Sequence, residues 1–312
     1  MSPRTYRRVV AVALALLATI VVTGAAVRLT GSGLGCEDWP NCTSGDFIKV
    51  SNPNQAIEQL NRLFTGLVSL GVIAAVLGAF RRRPFRRDLV GWAAGLVLGV
   101  IGQIVLGGIT VLVDLHPAAV AGHFVLSMIL IADAVVLLRR SGQEPGPRQP
   151  RVGSTDLLLS RLACVLLALG MVTGPVVTGA GPHAGDGSAP RFDAAVPDVV
   201  RIHSLNMWCF LAVLVVLLVR LARSGAPADV LRNGQALVAV LVLQGGIGYL
   251  QYELGIPAWL VIFHIAGATA VVALMVWFHL CLSDVVPPGA PPGQTQQGTQ
   301  EGQGGDTVAA TT

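Results

Sequence analysis

The sequence predicts an all-α membrane protein in which eight transmembrane helices form two pseudo-repeated four-helix bundles. Of its 312 residues, 53% are hydrophobic and only 12% are charged, whereas a soluble domain carries about 25% charged residues. Eight apolar stretches are long enough to cross a bilayer, which takes about 20 residues, and the two halves share a pattern of polar residues. This composition excludes a soluble globular enzyme. The net charge of +4 does not indicate a nucleic-acid partner, because the basic residues lie in short connections.

The eight predicted spans together cover about three-fifths of the chain. Each is a long apolar run rather than an alternating segment of about ten residues, which favours a helix over a barrel strand. A helix also satisfies its own backbone hydrogen bonds in hydrocarbon. The spans are 9–29, 57–80, 89–113, 117–138, 157–178, 197–221, 230–252 and 258–282.

The distribution of basic residues predicts the orientation. Sixteen of the 21 Lys and Arg residues lie in the N-terminal segment and in the connections 81–88, 139–161 and 220–232. Because basic residues concentrate in cytoplasmic loops, we expect a plasma-membrane protein with both termini in the cytoplasm. The first span follows three arginines, as in a signal peptide, but its apolar run exceeds the usual 7–15 residues, so we expect it to be retained.

Four segments follow from these boundaries. The sequence predicts a first four-helix bundle at 1–140, a cytoplasmic linker at 141–156 and a second four-helix bundle at 157–283. It also predicts a disordered cytoplasmic tail at 284–312, which is rich in Pro, Gly and Gln.

The two halves repeat a spacing between polar residues. Gln103 lies 20 residues before His123 in the third and fourth spans, and Gln244 lies 20 residues before His264 in the seventh and eighth. Because four spans return the chain to its starting side, the two units would run parallel. Further shared positions are Thr23-Gly24 with Thr173-Gly174, and Gly107-Gly108 with Gly245-Gly246.

Polar side chains inside spans are costly and tend to be functional. The informative ones share a layer, roughly 6–10 Å below the outward surface at 1.5 Å rise per residue. Imidazoles from two facing helices can ligate a heme iron from both sides, a role that His203 and His264 fit. Interior hydrogen-bonded histidines are the alternative, and zinc is disfavoured because no further ligand completes a tetrahedral set. The layer comprises Glu58, Asn61, His123, His203 and His264.

The halves differ in what they offer. At an offset of 142 residues, Asn61 aligns with His203 and Glu58 aligns with Val200. The simplest division is a second half that holds a cofactor and a first half that carries out chemistry. Glu58 would accept a proton or stabilise developing positive charge. The alternative is that Glu58 forms an ion pair with Arg62.

Two further groups lie at the outward side. Cys36 and Cys42 share a Gly-rich loop, where an oxidising environment favours a disulfide with either a structural or a redox role. Arginine binds carboxylates at membrane surfaces, and we select Arg62 and Arg201 as candidate propionate contacts, with interface anchoring as the alternative. The arginines near outward helix ends are Arg28, Arg62, Arg191 and Arg201.

These features resemble the heme A synthase family over nearly the whole chain up to about residue 282. The resemblance is carried by GSGLGCEDWPNC at 31–42, IEQLNR at 57–62, LHPAAVAGH at 115–123, and the two histidines in VVRIHS and WLVIFH. It implies a membrane oxidoreductase that oxidises a porphyrin methyl of heme O to a formyl group by successive hydroxylations. The product, heme A, serves aa3-type terminal oxidases.

The resemblance also implies roles for residues and partners. His203 and His264 would be axial ligands of a heme B cofactor, His123 would face the substrate heme O, and Glu58 would be catalytic. Cys36 and Cys42 would be the outer-loop pair of the family. A heme O synthase and cytochrome oxidase assembly factors are the implied partners, alongside membrane lipid, and a homo-oligomer is compatible with the sequence.

The chain departs from the family pattern at Asn61, where an acid-x-x-His motif would place histidine. An amide is a poor iron ligand, so the substrate heme would be held through His123 alone, or Asn61 would hydrogen-bond a group near the iron. The second outer loop also lacks the cysteine pair found in some members.

Two other functions are weighed against this one. A b-type cytochrome that moves electrons across the membrane would need hemes at two depths, whereas the candidate ligands lie in one layer. A transporter would have broken helices and a central charge cluster, which the spans lack.

Overall fold

The computed structural model describes residues 1–36, 38–43 and 50–286. Within them, eight helices are long and apolar enough to cross a membrane, which confirms the predicted number of spans. The predicted tail beyond residue 286 lies outside the described residues. The helices are α1 (Pro3–Leu29), α2 (Pro53–Arg81), α3 (Arg87–Leu112), α4 (Pro117–Ser141), α5 (Ser154–Ala180), α6 (Val196–Arg223), α7 (Ala228–Glu253) and α8 (Ala258–Cys281).

Several helices begin before the apolar run that predicted them. Proline occupies the first turn of α1, α2, α4 and α6, where its fixed φ suits a helix and its missing N–H leaves no unpaired donor. The side chains of Ser2 and Asn52 cap α1 and α2 by accepting from Thr5 N and Gln55 N. Hydropathy therefore locates the part of a helix in hydrocarbon, whereas prolines and caps locate its start.

Each half of the chain is a ring of four helices. In the first half α1 packs on α2, α2 on α3, α3 on α4 and α4 on α1. In the second half α5 packs on α6, α6 on α7, α7 on α8 and α8 on α5. The rings meet where α4 packs on α5 and α8, and where α1 packs on α8. In each ring the second and fourth helices lie diagonally opposite, so side chains on their inner faces point toward one another.

The connections between helices lie at two ends of the molecule. We call the end that carries the connections 30–52, 113–116, 181–195 and 254–257 the distal end, and the opposite one the terminal end. The distal end corresponds to the outward side in the predicted orientation. All the polar residues singled out above lie in the distal half of their helices.

A small sheet at the terminal end corrects the predicted linker and tail. Strand β1 (Arg148–Pro150) pairs antiparallel with β2 (Ser283–Val285). The linker is thus partly a strand, and Asp284 and Val285, assigned to the disordered tail, pair with it. Arg151 fixes the junction, because its guanidinium binds Asp229 at 2.7 and 2.8 Å and donates to Cys281 O. The Pro- and Gly-rich composition on which the tail prediction rested begins only after Val286.

Candidate functional site

The His203 ring on α6 is fixed by the neighbouring helix α5. Its Nδ1 is hydrogen-bonded to Thr173 Oγ1 at 2.9 Å. The Thr173 hydroxyl donates to Gly170 O, so its oxygen is left to accept from Nδ1–H. That arrangement leaves the lone pair on Nε2, the nitrogen available to a metal. A Cβ on Gly174 would lie 3.4 Å from His203 Cε1, so this glycine gives the ring its place against α5.

His264 on α8 lies in a similar setting against α7. A Cβ on Gly248 would come within 3.0 Å of His264 Cε1, which is tighter than ordinary contact. The backbone carbonyl of His264 accepts from Gln244 Nε2 at 2.6 Å. His203 packs against α5 and His264 packs against α7, the two helices that lie between α6 and α8 in the ring. The two imidazoles therefore share the interior of the second ring.

The first ring repeats these contacts with one substitution. His123 O accepts from Gln103 Nε2 at 3.0 Å, and a Cβ on Gly107 would lie 3.4 Å from His123 Cε1. Asn61 takes the position that His203 has in the second ring, because its Oδ1 accepts from Thr23 Oγ1 at 2.8 Å. The first ring thus has one imidazole and one amide where the second ring has two imidazoles.

The shared contacts refine one predicted pair of positions. The sequence matched Gly107-Gly108 with Gly245-Gly246 through their place after the two glutamines. In the structure it is Gly248 that lies against His264, as Gly107 lies against His123. The offset from Gly107 to Gly248 is 141 residues, the same as the offset from His123 to His264.

The segments of α4 and α8 that carry His123 and His264 are incompletely buried. Every residue in 119–127 of α4 is partly exposed, although α4 is packed by α1, α3, α5 and α8. Residues 264–268 of α8, which is packed by α1, α4, α5 and α7, are also partly exposed. These segments are therefore more loosely packed than the terminal halves of the same helices, which hold most of their buried residues.

Glu58 is buried at 5% exposure and is bound on both carboxylate oxygens. Its Oε2 accepts from Cys36 N at 2.8 Å, and its Oε1 accepts from Arg62 Nη2 at 2.6 Å and from Nε at 3.1 Å. The ion pair considered as an alternative is therefore present. The carboxylate links α2 to the loop that follows α1.

That loop carries the predicted disulfide, which the structure contains between Cys36 and Cys42. Arg62 Nη1 donates to the carbonyls of Asp38 at 3.0 Å and Asn41 at 3.2 Å, so one guanidinium binds both the loop and Glu58. Trp39 packs on α3, where a Cβ on Gly108 would lie 2.9 Å from the indole.

Glycine allows the same loop to approach α2 closely. A Cβ on Gly35 would lie 2.5 Å from Asn54 O and 2.9 Å from Gln55 N. Both are backbone atoms of the first turn of α2, which cannot move aside as a flexible side chain could, so only glycine fits at this position. The loop therefore covers the distal end of the first ring and holds Cys36 against Glu58.

The two arginines selected as propionate contacts both lie beside acidic residues of their own helices. Arg62 is committed to Glu58 and the loop. Arg201 is 82% exposed and lies 3.6 Å from Asp198, one turn earlier on α6. The structure does not bring Arg201 to the interior that His203 faces.

Sequence reasoning missed two kinds of residue. Thr173 and Thr23 were noted as repeat markers, but their hydrogen bonds to His203 and Asn61 were not anticipated. Asp133 on α4 was not singled out at all. A Cβ on Gly95 would lie 2.7 Å from Asp133 Oδ2, so the carboxylate packs against α3. Its Oδ1 is buried and has no hydrogen-bond partner within the described residues. An acidic residue within the apolar span 117–138 was the signal that could have found it.

The remaining histidines serve local contacts away from the two ring interiors. His116 Nδ1 accepts from Ala118 N at the start of α4. His183 Nε2 is hydrogen-bonded to Ile256 O, and His279 Nδ1 to Ser160 Oγ at the terminal end. Three imidazoles, His123, His203 and His264, therefore remain for the candidate site.

A family model described as cytochrome oxidase assembly protein, COX15-CtaA, matches residues 7–276. The chain belongs to this family. Membership agrees with the eight helices in making it a multi-pass membrane protein, and it confirms the family that the loop and histidine motifs resemble. It does not favour the electron-transfer cytochrome considered as an alternative.

Curated relatives of this COX15-CtaA member are named heme A synthase. The protein of Lysinibacillus sphaericus is 36% identical over 122 residues, which are 38% of this chain and 39% of the relative. That of Bacillus pumilus is 33% identical over 120 residues, 38% and 39% of the two chains. That of Listeria welshimeri is 33% identical over 124 residues, 39% and 40% of the two. The chain thus aligns with about two-fifths of the length of these relatives.

Proposed function

We propose that this COX15-CtaA family member is a heme A synthase, which oxidises a methyl group of heme O to the formyl group of heme A. The observation that carries the proposal is the pair of imidazoles, His203 and His264, that diagonal helices bring into one ring interior. Family membership and the names of the relatives support it. The product would serve aa3-type terminal oxidases, and a heme O synthase and oxidase assembly factors would be its partners.

The second ring would hold heme B as the cofactor. His203 and His264 would hold its iron, because histidine is a common ligand of heme iron in proteins. The Nδ1 contact with Thr173 supports this role, because a fixed second nitrogen orients a ligating imidazole. The absence of a side chain at Gly174 and Gly248 lets the two imidazoles pack closely against α5 and α7. Bound there, heme B would supply one-electron redox chemistry.

The first ring would hold the substrate heme O. His123 is its one imidazole, so His123 would orient the substrate iron while Asn61, fixed by Thr23, would donate or accept a hydrogen bond nearby. Glu58 would be the catalytic carboxylate, accepting a proton or stabilising positive charge at the porphyrin edge. Its contact with Cys36 N supports a disulfide loop that positions the carboxylate. In this account the loop excludes water from the distal end.

The proposed setting is the plasma membrane, with both termini in the cytoplasm and the site near the outer face. The excess of Lys and Arg at the terminal end supports this orientation. The alternative function, a b-type cytochrome, would need hemes at two depths, and the three available imidazoles lie at one end of the bundle.

Heme analysis tests the activity directly. The chain is expressed with a heme O synthase in cells that lack their own heme A synthase, and extracted hemes are separated by chromatography. We expect heme A to accumulate, whereas cells with the empty vector accumulate heme O. Absence of formyl heme, alongside its production by an established heme A synthase in the same cells, would refute the activity.

Replacing Thr173 by valine tests the support of the cofactor ligand. Valine keeps the shape but removes the oxygen bound to His203 Nδ1, and loss of such a partner lowers metal affinity by about 10- to 100-fold. We therefore expect Thr173→Val, purified in detergent and titrated with heme B, to bind it about 10- to 100-fold more weakly than the wild type and to retain less of it on purification. Thr23→Val, the matched change in the first ring, should leave heme B content unchanged. Equal heme B affinity in the two variants would contradict the assignment.

A further inference from the structure

Arg28 crosses from the first half of the molecule to the second at the distal end. It lies in the last turn of α1, and its Nη2 donates to Thr178 O on α5 at 3.0 Å. Its aliphatic stem passes Gly185 in the 181–195 connection, where a Cβ would lie 3.4 Å from Arg28 Cγ. Arg28 is thus held at the junction of the two rings.

A second guanidinium binds the same end of α5. Arg191 belongs to the same 181–195 connection and donates to the carbonyls of Gly181 and Pro182. Thr178, whose carbonyl accepts from Arg28, and Gly181, whose carbonyl accepts from Arg191, lie three residues apart at the end of α5, which brings the two guanidiniums to the same place. Within the described part of the chain, neither lies within 4.0 Å of a carboxylate. The nearby Asp186 binds Ser188 instead, because its Oδ1 accepts from both Ser188 N and Oγ.

This arrangement is unfavourable unless an anion lies there. Like charges repel, most strongly where water is excluded. The Nε of Arg28 is also buried without a hydrogen-bond acceptor among the described residues, which is costly for a donor. A carboxylate would neutralise both guanidiniums and accept from Nε–H, and the planar fork of arginine matches its two oxygens. By contrast, Arg62 and Arg201 already have acidic neighbours.

The position of the pair relates it to both rings. Arg28 lies five residues beyond Thr23, which binds Asn61, and Thr178 lies five residues beyond Thr173, which binds His203. At 1.5 Å per residue this places Arg28 about 7 Å further toward the distal surface than the two threonines.

We propose that Arg28 and Arg191 form a carboxylate-binding site at the junction of the two rings, which takes the propionate groups of a bound porphyrin. The inference rests on the proposed function, because it requires that a porphyrin occupy at least one ring. It names residues of this chain that would orient the porphyrin with its acidic edge toward the distal surface.

Comparing a free-acid porphyrin with its ester tests the site without measuring turnover. The full chain, purified in detergent from heme-depleted cells, is titrated with iron protoporphyrin IX and with its dimethyl ester while absorbance is recorded. We expect the wild type to bind the free acid at least about tenfold more tightly, as hydrogen bonds to charged groups predict. Arg28→Gln/Arg191→Gln should bind both forms with similar affinity. Arg223→Gln, which removes an exposed arginine at the terminal end of α6, should retain the wild-type preference.

The outcomes separate this site from the proposed function. Equal affinity of the wild type for acid and ester, or an unchanged preference in the double variant, would overturn the site while leaving porphyrin binding intact. Binding of neither form by the wild type would overturn the proposed function itself. The titration is repeated with His123→Ala. If this variant still prefers the free acid over the ester, the bound propionates belong to a porphyrin in the second ring. If the preference is lost, they belong to a porphyrin in the first ring.

Discussion

Replacing His264 by alanine is expected to remove heme B from the purified chain. The change deletes one of two proposed axial ligands and leaves a void beside Gly248, while the Gln244 contact, which uses the backbone carbonyl, can persist. Loss of a partner outside the ligand shell already lowers metal affinity about 10- to 100-fold, so loss of a ligand should leave less than about a tenth of the wild-type heme absorbance. The measurement is the ratio of Soret absorbance to protein. His203→Ala should have the same effect.

The same helix provides a matched control. His279 lies on α8 at the terminal end, where its Nδ1 is bound to Ser160 rather than directed into the ring. His279→Ala should keep the wild-type heme content. Equal heme loss in His264→Ala and His279→Ala would mean that the helix, rather than a ligand, had been disturbed.

Replacing Glu58 by glutamine is expected to stop heme A formation while heme B stays bound. Glutamine has nearly the same shape and can still accept from Cys36 N, but it cannot take a proton as a carboxylate does. General acid–base groups contribute about 10²- to 10⁴-fold to rate, so heme A in co-expressing cells should fall by about 100-fold or more. Chromatography of extracted hemes and absorbance of the purified variant measure the two properties together.

Arg62 distinguishes catalysis from loop support. Arg62→Gln removes the ion pair and the bonds to the Asp38 and Asn41 carbonyls, but it leaves the carboxylate in place. We expect Arg62→Gln to retain more activity than Glu58→Gln. If both variants lose heme A formation equally, Glu58 acts through the loop, and its catalytic assignment is wrong.

Much of this fold was predictable because its determinants are local. Hydropathy located the eight spans, since a membrane helix must be apolar over most of its length. The i,i+4 spacing of Glu58 and Arg62 on one helix placed their ion pair within reach. The equal spacing from Gln103 to His123 and from Gln244 to His264 was visible in the sequence, but the hydrogen bond from each glutamine to its histidine's backbone carbonyl was found only in the structure.

Other features depend on contacts between distant segments. The strand Arg148–Pro150 pairs with Ser283–Val285, and three-residue strands have no periodicity to detect. Arg28 meets Thr178 only because the fold brings the end of α5 within reach of the long side chain in the last turn of α1. Arg201 was selected because it lies two residues before His203 in the sequence. Its side chain is exposed in the structure, and proximity in sequence could not show which face of α6 it occupies.

Whether His203 and His264 together hold heme B is tested by the low-temperature electron paramagnetic resonance spectrum of the purified, oxidised wild-type chain, taken with its heme-to-protein ratio. We expect a low-spin ferric signal typical of two imidazole ligands, from heme B, that disappears in both His203→Ala and His264→Ala. A high-spin signal, or a low-spin signal that survives either substitution, would contradict this expectation.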